Sequence, residues 1–106
     1  MYQLCFYVPE SHLEAVKLAV FDAGAGRVGN YECCAWQTQG LGQFRPKKGS
    51  QPYMGEQEKL ETVAEIKVEL VCEDEIIKAA VTALLDVHPY EEPAYSVWQL
   101  EDIFNP

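Results

Sequence analysis

Val8-Pro9-Glu10-Ser11-His12-Leu13 and Val71-Cys72-Glu73-Asp74-Glu75-Ile76 follow one pattern: a strand end, an acid, a short polar residue of the helix-capping kind, and an apolar residue that begins a helix. Before the first, Leu4, Phe6 and Val8 alternate with Cys5 and Tyr7, the period-two signature of a strand. Pro9 ends the pairing. Ser11 stands three residues before Glu14, the spacing of a capping box, and Leu13, Val16 and Val20 continue at helical spacing until Gly24 and Gly26. Before the second, Ala64, Ile66, Val68 and Leu70 alternate with Glu65, Lys67 and Glu69, so one face of this strand is expected to be buried and the other wet. Asp74 is read as the next cap, and Ile76, Ile77, Ala80, Val81, Leu84 and Leu85 form a broad apolar helical stripe that Pro89 stops.

The repetition implies two βαβ halves, each needing a closing strand. Residues 31–39 and 95–100 are the candidates. The resulting expectation is an α+β, ferredoxin-like βαββαβ sandwich: one domain over residues 1–106, four antiparallel strands, and two helices on one face. A connection at about 40–59 is too rich in Gly and Pro for a helix. It nevertheless carries Phe44, Tyr53 and Met54, which a solvated linker rarely does, so it is expected to pack on something.

Composition narrows the function classes. A chain of 106 residues that is 48% hydrophobic supplies one core, and its formal charge of −9 repels nucleic-acid phosphates. Arg45, Lys47 and Lys48 form the one basic cluster. No apolar run approaches the ~20 residues that cross a bilayer, and the N-terminal residues lack signal-peptide character, so a cytoplasmic protein with no membrane partner is expected. Cys5, Cys33, Cys34 and Cys72 are read as reduced, mostly buried thiols. Cys33 and Cys34 are expected on opposite faces of a strand, which disfavours a thiolate cage.

The segment His88-Pro89-Tyr90-Glu91-Glu92-Pro93-Ala94-Tyr95 has two readings. An imidazole and two carboxylates suit a divalent metal, with His88 and Glu91 as ligands, or an acid/base set. Alternatively His88 satisfies backbone carbonyls at a helix end while the prolines fix the turn and the tyrosines pack. Gly24-Ala25-Gly26-Arg27-Val28-Gly29 matches G-x-G-x-x-G but follows a helix instead of opening one, which argues against a dinucleotide site. Ser11 and His12 lack a third partner for nucleophilic catalysis. Trp36 and Trp98 fall on the outer strands and are read as core or interface residues.

The segment from His88 to Tyr95 resembles the one at the same place in the insertion domain of Nif-three-like proteins, and His88-Pro89-Tyr90-Glu91 is similar to a CutA-type segment. The resemblance to Nif-three-like proteins extends through Gly40-Leu41-Gly42-Gln43-Phe44-Arg45-Pro46, Gln51-Pro52-Tyr53-Met54-Gly55 and Glu61-Thr62-Val63-Ala64-Glu65, nearly the whole chain, as a free-standing form of that domain. It implies a P-II/CutA-like fold that associates with copies of itself. The metal-binding portions that flank the insertion in full-length Nif-three-like proteins have no counterpart here, so neither their ligands nor a hydrolase activity carries over.

The expected function is therefore a non-enzymatic, self-associating module, a dimer or trimer, that senses or binds a small molecule and needs no cofactor. Candidate ligand or interface residues are His88, Tyr90, Glu91, Glu92, Phe44, Arg45, Lys47, Lys48 and Tyr53. The alternative is a metal-binding protein that uses His88 and Glu91.

Overall fold

The computed structural model describes residues 1–105. Strand β1 (Tyr2–Val8) leads through a 3-10 turn (Glu10–His12) into helix α1 (Leu13–Asp22). A long turn then reaches the hairpin of β2 (Trp36–Phe44) and β3 (Glu61–Cys72), after which α2 (Ile77–Val87) and β4 (Tyr95–Gln99) complete the chain. The strands lie in the order β2-β3-β1-β4, with every pairing antiparallel. This is the four-stranded ferredoxin-like sandwich with α1 and α2 side by side.

The alternation seen in the sequence sets which side chains meet. Leu4, Phe6 and Val8 of β1 stand opposite Leu70, Val68 and Ile66 of β3. Both rows are buried beneath Leu13, Val16 and Val20 of α1 and Ala80 and Leu84 of α2. Each of the larger apolar side chains contributes ~1.5–3 kcal/mol by leaving water. On the opposite face Cys5 and Tyr7 stand across from Glu69 and Lys67, so that side of the sheet stays largely polar.

The first helix does not start as its sequence implies. Ser11 makes no cap; its Oγ pairs with Nδ1 of His12 at 2.8 Å, and the 3-10 turn delivers the chain into α1. Asp74 does not cap α2 either. Its carboxylate binds the N-terminal ammonium of Met1, and the helix is nucleated by backbone bonds from Ile76 and Ile77 to the Glu73 carbonyl. In both places the polar side chain is engaged with a partner other than a helix-start amide.

Strand β2 begins at Trp36 and ends at Phe44, not at residues 31–39, and the loop accordingly runs over residues 45–60 and not from 40. Gly40 and Gly42 are strand residues that pair with Glu65 and Val63. Cys33 and Cys34 precede the strand in a turn, where Cys33 is left-handed at φ 57° and exposed, so the expected burial holds for Cys5 and Cys72 alone. That turn closes on Gly26, whose amide and carbonyl bond Val71 and Cys34. A Cβ there would lie 2.7 Å from the Phe21 ring, which is why glycine stands at φ 74°.

Because β1 stops at Val8 while β2 and β3 run on, the hairpin overhangs the sheet and lengthens the molecule to 49 × 25 × 23 Å.

Candidate functional site

The loop over residues 45–60 folds back against the end of the sheet where β1 stops. Glu58 holds it. Its Oε1 accepts the Lys48 amide at 2.9 Å, its carbonyl accepts Arg45 Nε at 3.1 Å, and Arg45 Nη2 lies 3.5 Å from its Oε2. Ser50 closes a turn on the Lys47 carbonyl, and Gln57 donates to the Ser50 carbonyl at 2.8 Å. One bond reaches across the fold: the Gln51 amide donates to Glu91 Oε1 at 3.1 Å. The loop thus binds the segment that follows α2.

That segment is anchored by His88, a buried residue. Its Nε2–H donates to the Tyr7 carbonyl at 2.7 Å, and its Nδ1 accepts the Tyr90 amide at 3.1 Å. The two partners fix a neutral imidazole protonated on Nε2, and burial pushes its pKa below the ordinary value, outweighing the bond to Tyr7. Both ring nitrogens are spent. His88 has no free lone pair for a metal, so the ligand role assigned to His88 and Glu91 would require breaking the junction between α2 and β4. Among the described residues, no group of three or more His, Cys, Asp or Glu side chains is placed to hold a metal ion.

Aromatic contacts continue from this anchor into the loop. The rings of His88 and Tyr90 meet edge-on at 4.7 Å, Tyr90 and Tyr53 are tilted at 6.1 Å, and Tyr53 meets His12 edge-on at 5.7 Å. The expected packing of Tyr53 therefore takes place within its own chain. Pairs of this kind contribute ~0.5–1.5 kcal/mol beyond buried area and give the loop a fixed seat.

Between loop and segment lies a cavity of about 560 Å³. Of the candidates, Phe44, Arg45, Lys47 and Tyr53 line it from the loop side, and Tyr90, Glu91 and Glu92 from the other. His88 stands behind Tyr90 as its support, and the Lys48 side chain is not part of the wall. The rest of the lining was not among the candidates, and Met54 and Glu65 are the most informative of it. Met54 comes from the loop, and Glu65 comes from the face of β3 expected to be solvated. Glu65 can lie across β2 because Gly42 has no side chain; a Cβ there would overlap the carboxylate. A glycine two residues beyond Glu65's direct cross-strand partner was the available signal.

The Tyr90 hydroxyl is shielded from solvent, makes no hydrogen bond of normal geometry among the described residues, and lies beside the Glu65 carboxylate. Burial and the neighbouring Glu65 carboxylate push its ionisation far up, so it remains a neutral phenol.

No family model matches the chain. Full-length relatives do. A protein of Halalkalibacterium halodurans named GTP cyclohydrolase 1 type 2 homolog is 40% identical over 100 residues, which is 94% of this chain and 27% of that protein. The protein of the same name from Mycobacterium leprae is 45% identical over 94 residues, 89% of this chain and 24% of that protein. Among solved structures, a Bacillus cereus protein related to NIF3 superposes with a TM-score of 0.82 at 35% identity, over 95% of this chain and 26% of that one. The chain is homologous to one segment of the Nif-three-like proteins. It spans roughly a quarter of the length of the relatives it matches, 27% and 24% for the two named. CutA from Xylella fastidiosa, at 22% identity and a TM-score of 0.68, matches over 95% of this chain and 84% of its own, and shows that this chain has the CutA-type fold.

Proposed function

We propose that this Nif-three-like segment is a self-associating, P-II/CutA-like binding module whose ligand seat is the cavity between the loop and the His88 segment. One observation carries this reading: two stretches of chain about forty residues apart, each stabilised by its own hydrogen bonds, converge on a walled space of about 560 Å³. That is within the ~300–1,000 Å³ typical of small-molecule sites. Catalysis is not part of the proposal. The GTP cyclohydrolase name belongs to relatives about four times as long, and the cavity brings together carboxylates, aromatic rings and amines without a nucleophile–base pair.

Self-association rests on a different feature. Strands β2 and β4 are the sheet edges, and they expose Trp36, Leu41 and Trp98. Unpaired strand edges bearing large apolar side chains favour contact with another copy. The contact is thereby proposed at the strand edges, since the loop's Tyr53 is engaged within its own chain.

A thermal-shift screen of small metabolites on the wild-type chain, repeated on Tyr53→Ala, tests the seat. Compounds that stabilise the first and not the second support it; stabilisation undiminished in the variant would place the ligand elsewhere. The metal content of untagged protein tests the rival reading, which predicts stoichiometric metal lost on His88→Ala.

A further inference from the structure

We infer that the cavity takes an organic cation, a primary ammonium group carried on a flat apolar body. This rests on the reading of the cavity as a ligand seat and names the class of ligand.

Phe44, Pro52, Tyr53 and Met54 supply apolar and aromatic surface to the wall. Against them stands the Glu65 carboxylate. Glu65 has no ion-pair partner among the described residues, and it lies beside the Tyr90 hydroxyl, a neutral phenol whose O–H faces it without neutralising its charge. A carboxylate without a cationic partner among the described residues, set in a wall of aromatic and apolar surface, calls for a donor with positive charge. An ammonium group has three N–H donors to offer the Glu65 carboxylate, while the ring faces of Tyr53 and Phe44 favour a cation and stack on a flat body.

The other charges on the wall fit this sign. Arg45 is paired with Glu58, and one oxygen of Glu91, Oε1, accepts the Gln51 amide while the carboxylate keeps its charge. Glu92 adds a further negative charge. Lys47 is the one opposing charge on the wall without an ion pair among the described residues, and an anionic ligand would depend on it. Gly42 has a part as a positioning residue, because its missing side chain is what lets the Glu65 carboxylate lie across β2.

Three probes of nearly one shape and different charge separate the alternatives: 2-phenylethylamine, 2-phenylethanol and 3-phenylpropionate, titrated calorimetrically into the full chain at neutral pH. The amine is expected to bind the wild type more tightly than the other two. Glu65→Gln, which keeps the side-chain shape and removes the charge, should weaken the amine about ten-fold or more, as for the loss of one charge-assisted hydrogen bond. Tyr90→Phe is a second variant with no charge change and should weaken it by less. Tighter binding of 3-phenylpropionate, or equal amine binding by Glu65→Gln, overturns the cation class and leaves the seat standing. If none of the three binds and the ring resonances of Tyr53 and Tyr90 do not move, the class and the seat both fall.

Discussion

Replacing His88 with alanine removes two hydrogen bonds at once and leaves the Tyr90 amide without its acceptor. At ~0.5–1.5 kcal/mol for each bond, the variant should lose about 1–3 kcal/mol in denaturant melts. The pH dependence has a definite sign. The folded protein holds His88 neutral, with a pKa below its ordinary 6.5. Its contribution to stability is present above about pH 6.5, where the unfolded imidazole is also neutral, and is lost as pH falls through the lower folded value. Stability falling from pH 7 to 5 in the wild type and flattened in His88→Ala would bear this out; equal slopes would not. Cysteine reactivity separates by position. Cys33 is exposed and Cys34 half-exposed, while Cys5 and Cys72 are buried, and burial also pushes the Cys72 thiol up. Thiol titration of native protein should show two thiols reacting quickly and two only on unfolding. Four slow thiols would mean the turn before β2 is covered in solution.

The elements were unequally legible in the sequence. Strand β3 could be read almost residue by residue, because Ile66, Val68 and Leu70 face the core and Glu65, Lys67 and Glu69 do not. Strand β2 could not. Residues 36–41 are exposed on both faces, so no alternation marks them, and their place is set by backbone pairing to a twelve-residue partner. The site was half legible. Aromatic residues in a Gly- and Pro-rich loop pointed to packing, but Glu65 enters through a cross-strand position that only the register reveals. Capping failed for a local reason: Ser11 and Asp74 have the right chemistry, yet a neighbouring imidazole and a chain terminus claim their oxygens. Ser11→Ala should therefore cost well under the ~1 kcal/mol of a true N-cap, and a full loss of that size in thermal melts would restore the capping box. Glu58 is the opposite case, since it joins both arms of the loop. Glu58→Ala should raise hydrogen exchange and protease cleavage within residues 45–60 and leave the global melting transition nearly unchanged; a cooperative loss of the whole fold would make the loop part of the core.

The molecule as a whole presents its two sheet edges to solvent, and the proposed self-association is tested there. Replacing Trp36 and Leu41 with lysine puts two charges on the β2 edge at positions already exposed, so the fold should survive while the oligomer dissociates. Light scattering across micromolar concentrations would read the change, and an unaltered mass would move the contact off β2. The overhanging hairpin bears on how that mass is measured. A compact chain of this length has a radius of gyration of ~13 Å. This one reaches 15.1 Å, with one axis about twice the others at 49 × 25 × 23 Å. An elongated body meets more friction than a sphere of equal mass, so a single copy will migrate through a sizing column ahead of globular standards and sediment more slowly than they do. Elution volume alone would credit this chain with a partner it need not have.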